Sequence, residues 1–239
     1  MVKLNVVGVN YNYARFVRAH FESWRTLQAE ADGFVIVDDQ SSLRDDDYRF
    51  LRDTLGEAFV STDYEKSRFN GINQMRAIAH GIETLGLEPE AYYWMIDCDD
   101  VPLAEAAATI RAEIEAHDGI DLFAFSRFEN ELNGTVSTPI KAHRFWLRNA
   151  PTSCLVVKGA VFMRSWKKLF LERRFRDVWY DIRLSSLVPQ QRTRVSHRIT
   201  HIKLSHDEND SLRYRHNRLK IARRIFASLV YSVAQPHPR

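Results

Sequence analysis

The chain has 239 residues, 45% of them apolar and 12% aromatic, with a formal net charge of +3. That length and composition suit one large domain with a substantial buried core, or one domain with an appendage. No apolar run reaches the roughly 18 residues that a membrane-spanning helix needs, and two cysteines, Cys98 and Cys154, exclude a disulfide framework.

The small net charge hides an asymmetry. Residues 1–140 hold 12 Lys/Arg against 25 Asp/Glu, and residues 141–239 hold 22 against 6. An acidic half can hold a cation, and a basic half can face phosphates or another anionic group. The plainer alternative is that the two halves attract one another. Both cysteines are expected as small buried hydrophobes in a reducing setting. The N-terminal MVKLNVVGVNYNYARF is too short in its apolar part for a secretion leader, so the expected location is cytoplasmic.

In chain order, KLNVVGV (3–9) is a short apolar run closing in the polar loop NYNY, and it predicts a buried strand. Phe16, Val17, His20, Phe21, Trp24 and Leu27 recur at helical spacing, so 14–31 is expected as one amphipathic helix, stopped at Gly33. FVIVDDQSS (34–42) predicts a second strand, LRDDDYRFLRDTLG (43–56) a helix closed by glycine, and AFVSTD (58–63) a third strand. FNGINQMRAIAHGIETLG (69–86) opens as a loop and continues as a helix, and YYWMI (92–96) is the fourth strand. This alternation implies an open parallel sheet covered by helices, in which ligands gather at the carboxyl ends of the strands. Those ends carry Asn10 to Asn12, Asp38 with Asp39, and Asp97 to Asp100. Farther along, 103–117 predicts a helix, 121–129 a strand, and the polar segment 130–153 a long active-site loop. CLVVKGAVFM (154–163) reads as another strand, 175–188 as a helix, and 194–210 as a strand leading into a His-rich loop.

The carboxylates carry the chemistry. Asp97 and Asp99 stand at i and i+2, which on a strand point to one side. Acids that close repel, and one stays protonated unless a cation sits with them. A hard divalent ion with oxygen ligands meets that need, and Mg2+ usually takes substrate phosphates as its remaining ligands. A D-x-D alone recurs by chance; D-x-D-D after YYWMI is more specific, the alternative being a helix-capping turn before residue 103. Asp38 and Asp39 read either as a solvated turn or as a pair accepting hydrogen bonds from a nucleoside base or ribose.

These motifs, in this order and spacing, resemble those of the family 2 glycosyltransferases with the GT-A fold. GVNYN (8–12) stands where that family has a P-x-Y-N loop, with Val9 in the proline position. VIVDDQSS (35–42) matches V-V-D-D-G-S with Gln40 for glycine, and WMIDCDD (94–100) matches F-L-D-x-D-D. GINQMRAIA (71–79) resembles G-x-x-x-x-R-N-x-G, keeping Gly71 and Arg76 but carrying Ala77 and Ala79. The resemblance is specific over 3–102 and loose beyond. It implies an α/β fold with an open mixed, mainly parallel sheet flanked by helices. Residues 1–102 would be the nucleotide-binding half and 103–210 the acceptor half of one domain, with 211–239 a basic helix and tail.

Residue by residue, the resemblance implies that Val9, Tyr11 and Asn12 line a nucleotide pocket, and that Asp39, with Asp38 beside it, recognises the base, most often uracil. Arg76 would hold the nucleotide, Asp97 the ribose or a metal-bound water, and Asp99 an Mn2+ or Mg2+ ion bridging the diphosphate. The family's catalytic base is matched at VWYDIRL (178–184) by Asp181, with Tyr180 in the glutamate position and Asp177 as competitor; an ion pair with Arg173, Arg174 or Arg183 is the plainer role. A C-terminal histidine ligand is matched by His206, or by His201, against the commoner reading of a solvent-exposed loop histidine.

The expected function is metal-dependent, inverting transfer of a sugar from a nucleotide-diphosphate sugar, a UDP-sugar first, to a hydroxyl of a glycan or lipid-linked acceptor. Alternatives are transfer to modified nucleic-acid bases and nucleotidyl transfer. Against the latter stands the lack of a Gly-rich, Lys/Arg-bearing loop after the first strand. The segment 211–233 sets Leu212, Leu219, Ile221, Ile225, Phe226 and Leu229 against six Arg and Lys. It suits an anionic membrane surface at the inner face of the membrane, nucleic-acid phosphates, or plain docking on the core.

Overall fold

Period-two alternation in four strands builds the centre of the molecule. The structure, a computed structural model, describes residues 2–65, 70–130, 150–166, 188–204 and 206. Strands β1 (Leu4–Asn10), β2 (Gly33–Asp38), β3 (Phe59–Ser61) and β4 (Tyr92–Asp97) run parallel. Leu4, Val6, Phe34, Ile36, Tyr92, Trp94 and Ile96 enter one apolar layer; Val7, Val9, Val35, Val37, Tyr93 and Met95 enter the other. A sheet apolar on both faces must be covered on both. Helices α1 (Ala14–Ala19), α2 (Phe21–Glu30) and α3 (Asp46–Leu55) cover the first face, where Trp24 and Trp94 are fully buried at roughly 1.5–3 kcal/mol or more each. Helix α4 (Asn70–Leu85) covers the second. A Cβ on its Gly81 would lie 2.5 Å from Val7 Cγ1 and 2.9 Å from Val37 Cγ2, so only glycine lets α4 come this close to the sheet.

The second half of the chain extends the same sheet. It adds β5 (Asp100–Pro102), α5 (Ala106–Glu115), β6 (Leu122–Asn130), β7 (Leu155–Lys158), α6 (Gly159–Trp166) and β8 (Thr193–Leu204). The eight strands lie in the order β3-β2-β1-β4-β7-β6-β8-β5. β7 runs antiparallel to β4 and β6, β5 runs antiparallel to β8, and β6 and β8 are parallel with irregularities around Ser126. The expected mixed, mainly parallel sheet flanked by helices is what the structure has.

Several elements differ from their sequence-based expectation. The helix expected over 14–31 is two helices that break at His20 (φ −120°), which turns the buried pairs Ala14/Val17 and Trp24/Leu27 into the same layer. The strand expected over 154–163 ends at Lys158, and the rest is α6. A Cβ at Gly159 would lie 1.9 Å from the Glu88 carbonyl, and Gly159 N donates to Ala91 O (2.8 Å), so the chain must turn there. Short apolar runs do not distinguish strand from helix, and Val161 and Phe162 are buried either way. Asp100 opens a strand rather than capping a helix. The helix expected from 43 begins at Asp46, because Asp45 caps it by accepting from Asp47 N (3.1 Å) and Tyr48 N (3.0 Å), worth about 1 kcal/mol. All but the last residue of the helix expected over 175–188, most of the loop 130–153 and the basic tail from 211 lie outside the described residues.

The charge asymmetry resolves in part into contacts between the halves. Asp121 takes Arg192 (2.6 Å) and Arg164 (3.1 Å), and Glu113 takes Arg194 (2.9 Å) and Arg198 (3.3 Å). Cys98 and Cys154 are free and buried.

Candidate active site

Register brings three strand ends together at the carboxyl edge. Asn10 pairs with Asp38 across β1 and β2, and Val9 with Asp97 across β1 and β4. Beyond these ends the loops are tied to each other. The Asp38 carboxylate, fully buried, accepts from Asn10 Nδ2 (2.9 Å), Ser41 Oγ (2.5 Å) and Tyr48 Oη (3.3 Å). Ser41 Oγ also accepts from Asn12 N (2.8 Å), while Asn12 Oδ1 accepts from Leu43 N (2.9 Å). Asn12 (φ 63°) and Gln40 (φ 52°) are the two non-glycine residues with left-handed backbone among the described residues. Gln40 stands where the resembled motif has glycine; its side chain donates to Tyr64 O, which offsets part of the strain. Asp38 therefore belongs to the frame of the loops. Val9 is buried in the sheet, and Tyr11 projects at the edge, 42% exposed.

Asp39 is held differently. Its carboxylate Oδ1 accepts from Tyr64 Oη (2.6 Å), which also lies 2.8 Å from Asn73 O of α4. Burial, then the bond to Asp39, pushes the Tyr64 phenol well above its ordinary range, so it stays a donor. Arg76 lies over the Tyr64 ring, 5.4 Å from its centroid, and donates to Glu65 O (2.6 Å). Helix α4 thus lines one side of the edge and sends Gln74 Nε2 to Asp97 Oδ1 (2.7 Å).

Ligand oxygens of Asp97, Asp99 and Asp100 all lie within 4.8 Å of one another. Asp99 and Asp100 are 2% and 1% exposed, while Asp97 is partly open. Two side chains about a hundred residues farther along the chain close on them. Lys203 Nζ of β8 lies 2.7 Å from Asp99 Oδ2 and 3.3 Å from Asp100 Oδ1, and His206 Nε2 lies 3.0 Å from the same Asp99 oxygen. The His206 ring packs 4.5 Å from that of Phe16 and 5.5 Å from that of Tyr13, which fixes its position against α1. His201 is also buried, in β8, with Nε2 3.5 Å from Asp100 Oδ2 and in no hydrogen bond. Neither histidine is the solvent-exposed loop residue of the plainer reading.

The electrostatics follow from the burial. Desolvation, against the opposing pull of Lys203, together with the charges of Asp99 and Asp100, raises Asp97 to about 7. Burial would raise Asp99 too, but Lys203 and His206 outweigh it and hold it below the usual carboxylate range. Burial raises Asp100. Burial would strip Lys203 of its proton, but Asp100, Asp99 and Asp97 keep the ammonium charged. Burial, aided by Arg127 and Lys203, holds His201 neutral. Three carboxylates with one imidazole form an oxygen-rich donor set suited to a hard divalent ion, and the orphaned His201 Nε2 leaves polar capacity unused. The residues present fit such an ion.

The structure brings Asp39, Asp97, Asp99, Arg76, Tyr11, Asn12 and His206 to one edge. Asp177 and Asp181 lie outside the described residues. Sequence reasoning missed Lys203, Gln74 and Tyr64. Lys203 had a signal: in THIKLSH, His201 and Lys203 share one strand face. Apolar Ile202 and Leu204 lie on the other, and it is the polar face that is buried.

No family model matches the chain, and no curated protein matches it by sequence. Solved structures match it by fold. S. aureus TarS 1-349 in complex with UDP-GlcNAc gives a TM-score of 0.56 at 12% identity, over 87% of this chain and 60% of that one. The TarS complex with UDP gives 0.54 at 15% identity, over 85% and 61%. The mannosyltransferase PcManGT from Pyrobaculum calidifontis, in complex with GDP-Man and Mn2+, gives 0.64 at 13% identity, over 99% and 66%. The chain shares the fold of these proteins. It spans about 60% of the length of the TarS 1-349 structures it matches.

Proposed function

We propose that the chain is a glycosyltransferase that takes a nucleotide-diphosphate sugar, with the diphosphate at the Asp97–Asp99–Asp100 cluster and the base at Asp39. The observation that carries this reading is the three-carboxylate cluster, two of its members buried, at the carboxyl edge of a glycosyltransferase-type sheet, beside a loop pair that ends in Asp39. Solved structures of the same fold hold UDP-GlcNAc and, in another case, GDP-Man with Mn2+.

In this reading Asp99 and His206 hold a divalent ion, with Asp97 at the partly open rim. The ion, when bound, offsets the charge that develops on the departing nucleoside diphosphate. Tyr64 holds Asp39 in place to accept from an N–H of the base, and Tyr11 offers an exposed ring for stacking. Gln74 orients Asp97. Asp181, or Asp177, takes the proton of an acceptor hydroxyl attacking from the face opposite the diphosphate, which inverts the anomeric carbon. Residues 1–210 form the catalytic unit, and the basic segment from 211 contacts an anionic acceptor or surface.

The test is a panel of UDP- and GDP-sugars, with Mn2+ or EDTA, scored by thermal stabilisation and hydrolysis. A diphosphate nucleotide that binds raises the melting temperature, by about 2.7 kcal/mol of added stability at a hundred times its Kd. If none does, with Mn2+ present, the reading is wrong.

A further inference from the structure

The acidic cluster is met by a cation that belongs to the chain itself. Lys203 is 7% exposed, and its ammonium lies within hydrogen-bond distance of Asp99 Oδ2 and 3.3 Å from Asp100 Oδ1. It arrives there by register, since Lys203 and Asp100 are cross-strand partners in the β5–β8 ladder. His206 Nε2 shares the Asp99 oxygen. Lysine is not the whole of the site: His201 Nε2, on a side chain with no exposure and 3.5 Å from Asp100 Oδ2, lacks a hydrogen bond. Buried polar atoms left this way signal a ligand or water that the protein atoms do not replace.

We propose that Lys203 sets the metal affinity of this cluster: as a resident cation it weakens divalent-ion binding to the free protein, so that the ion is retained only together with a diphosphate. The coupling is electrostatic. A divalent ion ligated by Asp99 meets a full positive charge already bonded to that carboxylate, and like charges in a water-poor pocket repel strongly. A diphosphate reverses the balance. It brings negative charge for the metal and gives the ammonium, a compact charge on a flexible four-carbon stem, a second anionic partner. Lys203 is thus a positioning residue that couples cation binding to donor binding. This inference rests on the diphosphate reading of the site.

The test is Mn2+ binding by titration calorimetry and Mn2+ paramagnetic resonance at about pH 8, on the full chain, without and with UDP or GDP. Lys203→Gln is expected to bind Mn2+ without nucleotide about tenfold or more tightly than wild type, the usual reach of one nearby charge. It is also expected to lose most of the gain in Mn2+ affinity that nucleotide gives the wild type. Lys203→Arg, which keeps the charge, is expected to stay weak. Unchanged or weaker Mn2+ binding by Lys203→Gln overturns the proposal, because a purely structural lysine would give that result. A variant-free arm guards against misfolding. In wild-type protein carrying 15N at lysine Nζ, the Lys203 ammonium signal should move with Mg2+ plus nucleotide and hold with Mg2+ alone; movement with Mg2+ alone overturns it. If wild type binds no nucleotide, the functional reading falls, and the Mn2+ comparison still judges Lys203 separately.

Discussion

Adjacent carboxylates on this chain have unlike tasks, and substitution should separate them. Asp38 accepts from three side chains inside the protein, so Asp38→Asn, which replaces an acceptor oxygen with a donor, should cost about 1–3 kcal/mol in urea unfolding. Asp39→Asn, one residue on, should leave stability nearly unchanged and weaken nucleotide binding in calorimetry at least several-fold. Equal stability losses would contradict this division. Asp97 makes a third case. Its folded-state pKa of about 7 lies above the unfolded value near 3.8, so the metal-free folded chain holds a proton that the unfolded chain has released. The contribution is fully present below about pH 4 and is lost as pH rises through 7. In EDTA, wild type should therefore lose stability relative to Asp97→Asn between pH 4 and 7, by at most about 1.4 kcal/mol per pH unit. A flat difference across that range would show that Asp97 is not so perturbed. The acids were legible in the sequence because they follow an apolar run. Their counter-charge was not: Lys203 is about a hundred residues away, on a strand whose polar face is the buried one.

At the scale of elements, α4 joins fold to site. It presses on β1 and β2 through Gly81 and presents Gln74 and Asn73 to the carboxyl edge. Gly81→Ala adds a methyl within 3 Å of two valines, so the helix must shift outward despite alanine's better helix propensity. The expected cost is about 1–3 kcal/mol of stability, with weaker nucleotide binding although residue 81 touches no ligand. A variant of wild-type stability and affinity would show that α4 has slack. The first four strands were readable because each is a continuous apolar run bounded by polar loops. The break at His20 was not, since no glycine or proline marks it and the packing of Phe21 against Phe50 of α3 (5.1 Å between ring centroids) is tertiary. The switch from β7 to α6 was equally hidden, because the demand for Gly159 comes from the Glu88 carbonyl, distant in sequence.

For the whole molecule, one sheet carries strands from both charge halves, so the halves should unfold together. A single transition with equal midpoints by fluorescence and circular dichroism is expected. Asp121→Asn should lower that midpoint without splitting it. Its two arginines are 58% and 42% exposed and can return to water, so the loss should be only about 1–2 kcal/mol. Two separated transitions would mean that the sheet does not act as one unit. The β5–β8 ladder adds a consequence for how the chain reaches this state. A slip of β8 by one residue would set Ile202 or Leu204 opposite Asp100, bury carboxylates with no counter-charge and send the ammonium outward. The wrong pairing is penalised electrostatically as well as by packing, so β8 carries its own proofreading, and the residue that tunes the site also checks that the protein has been assembled in register.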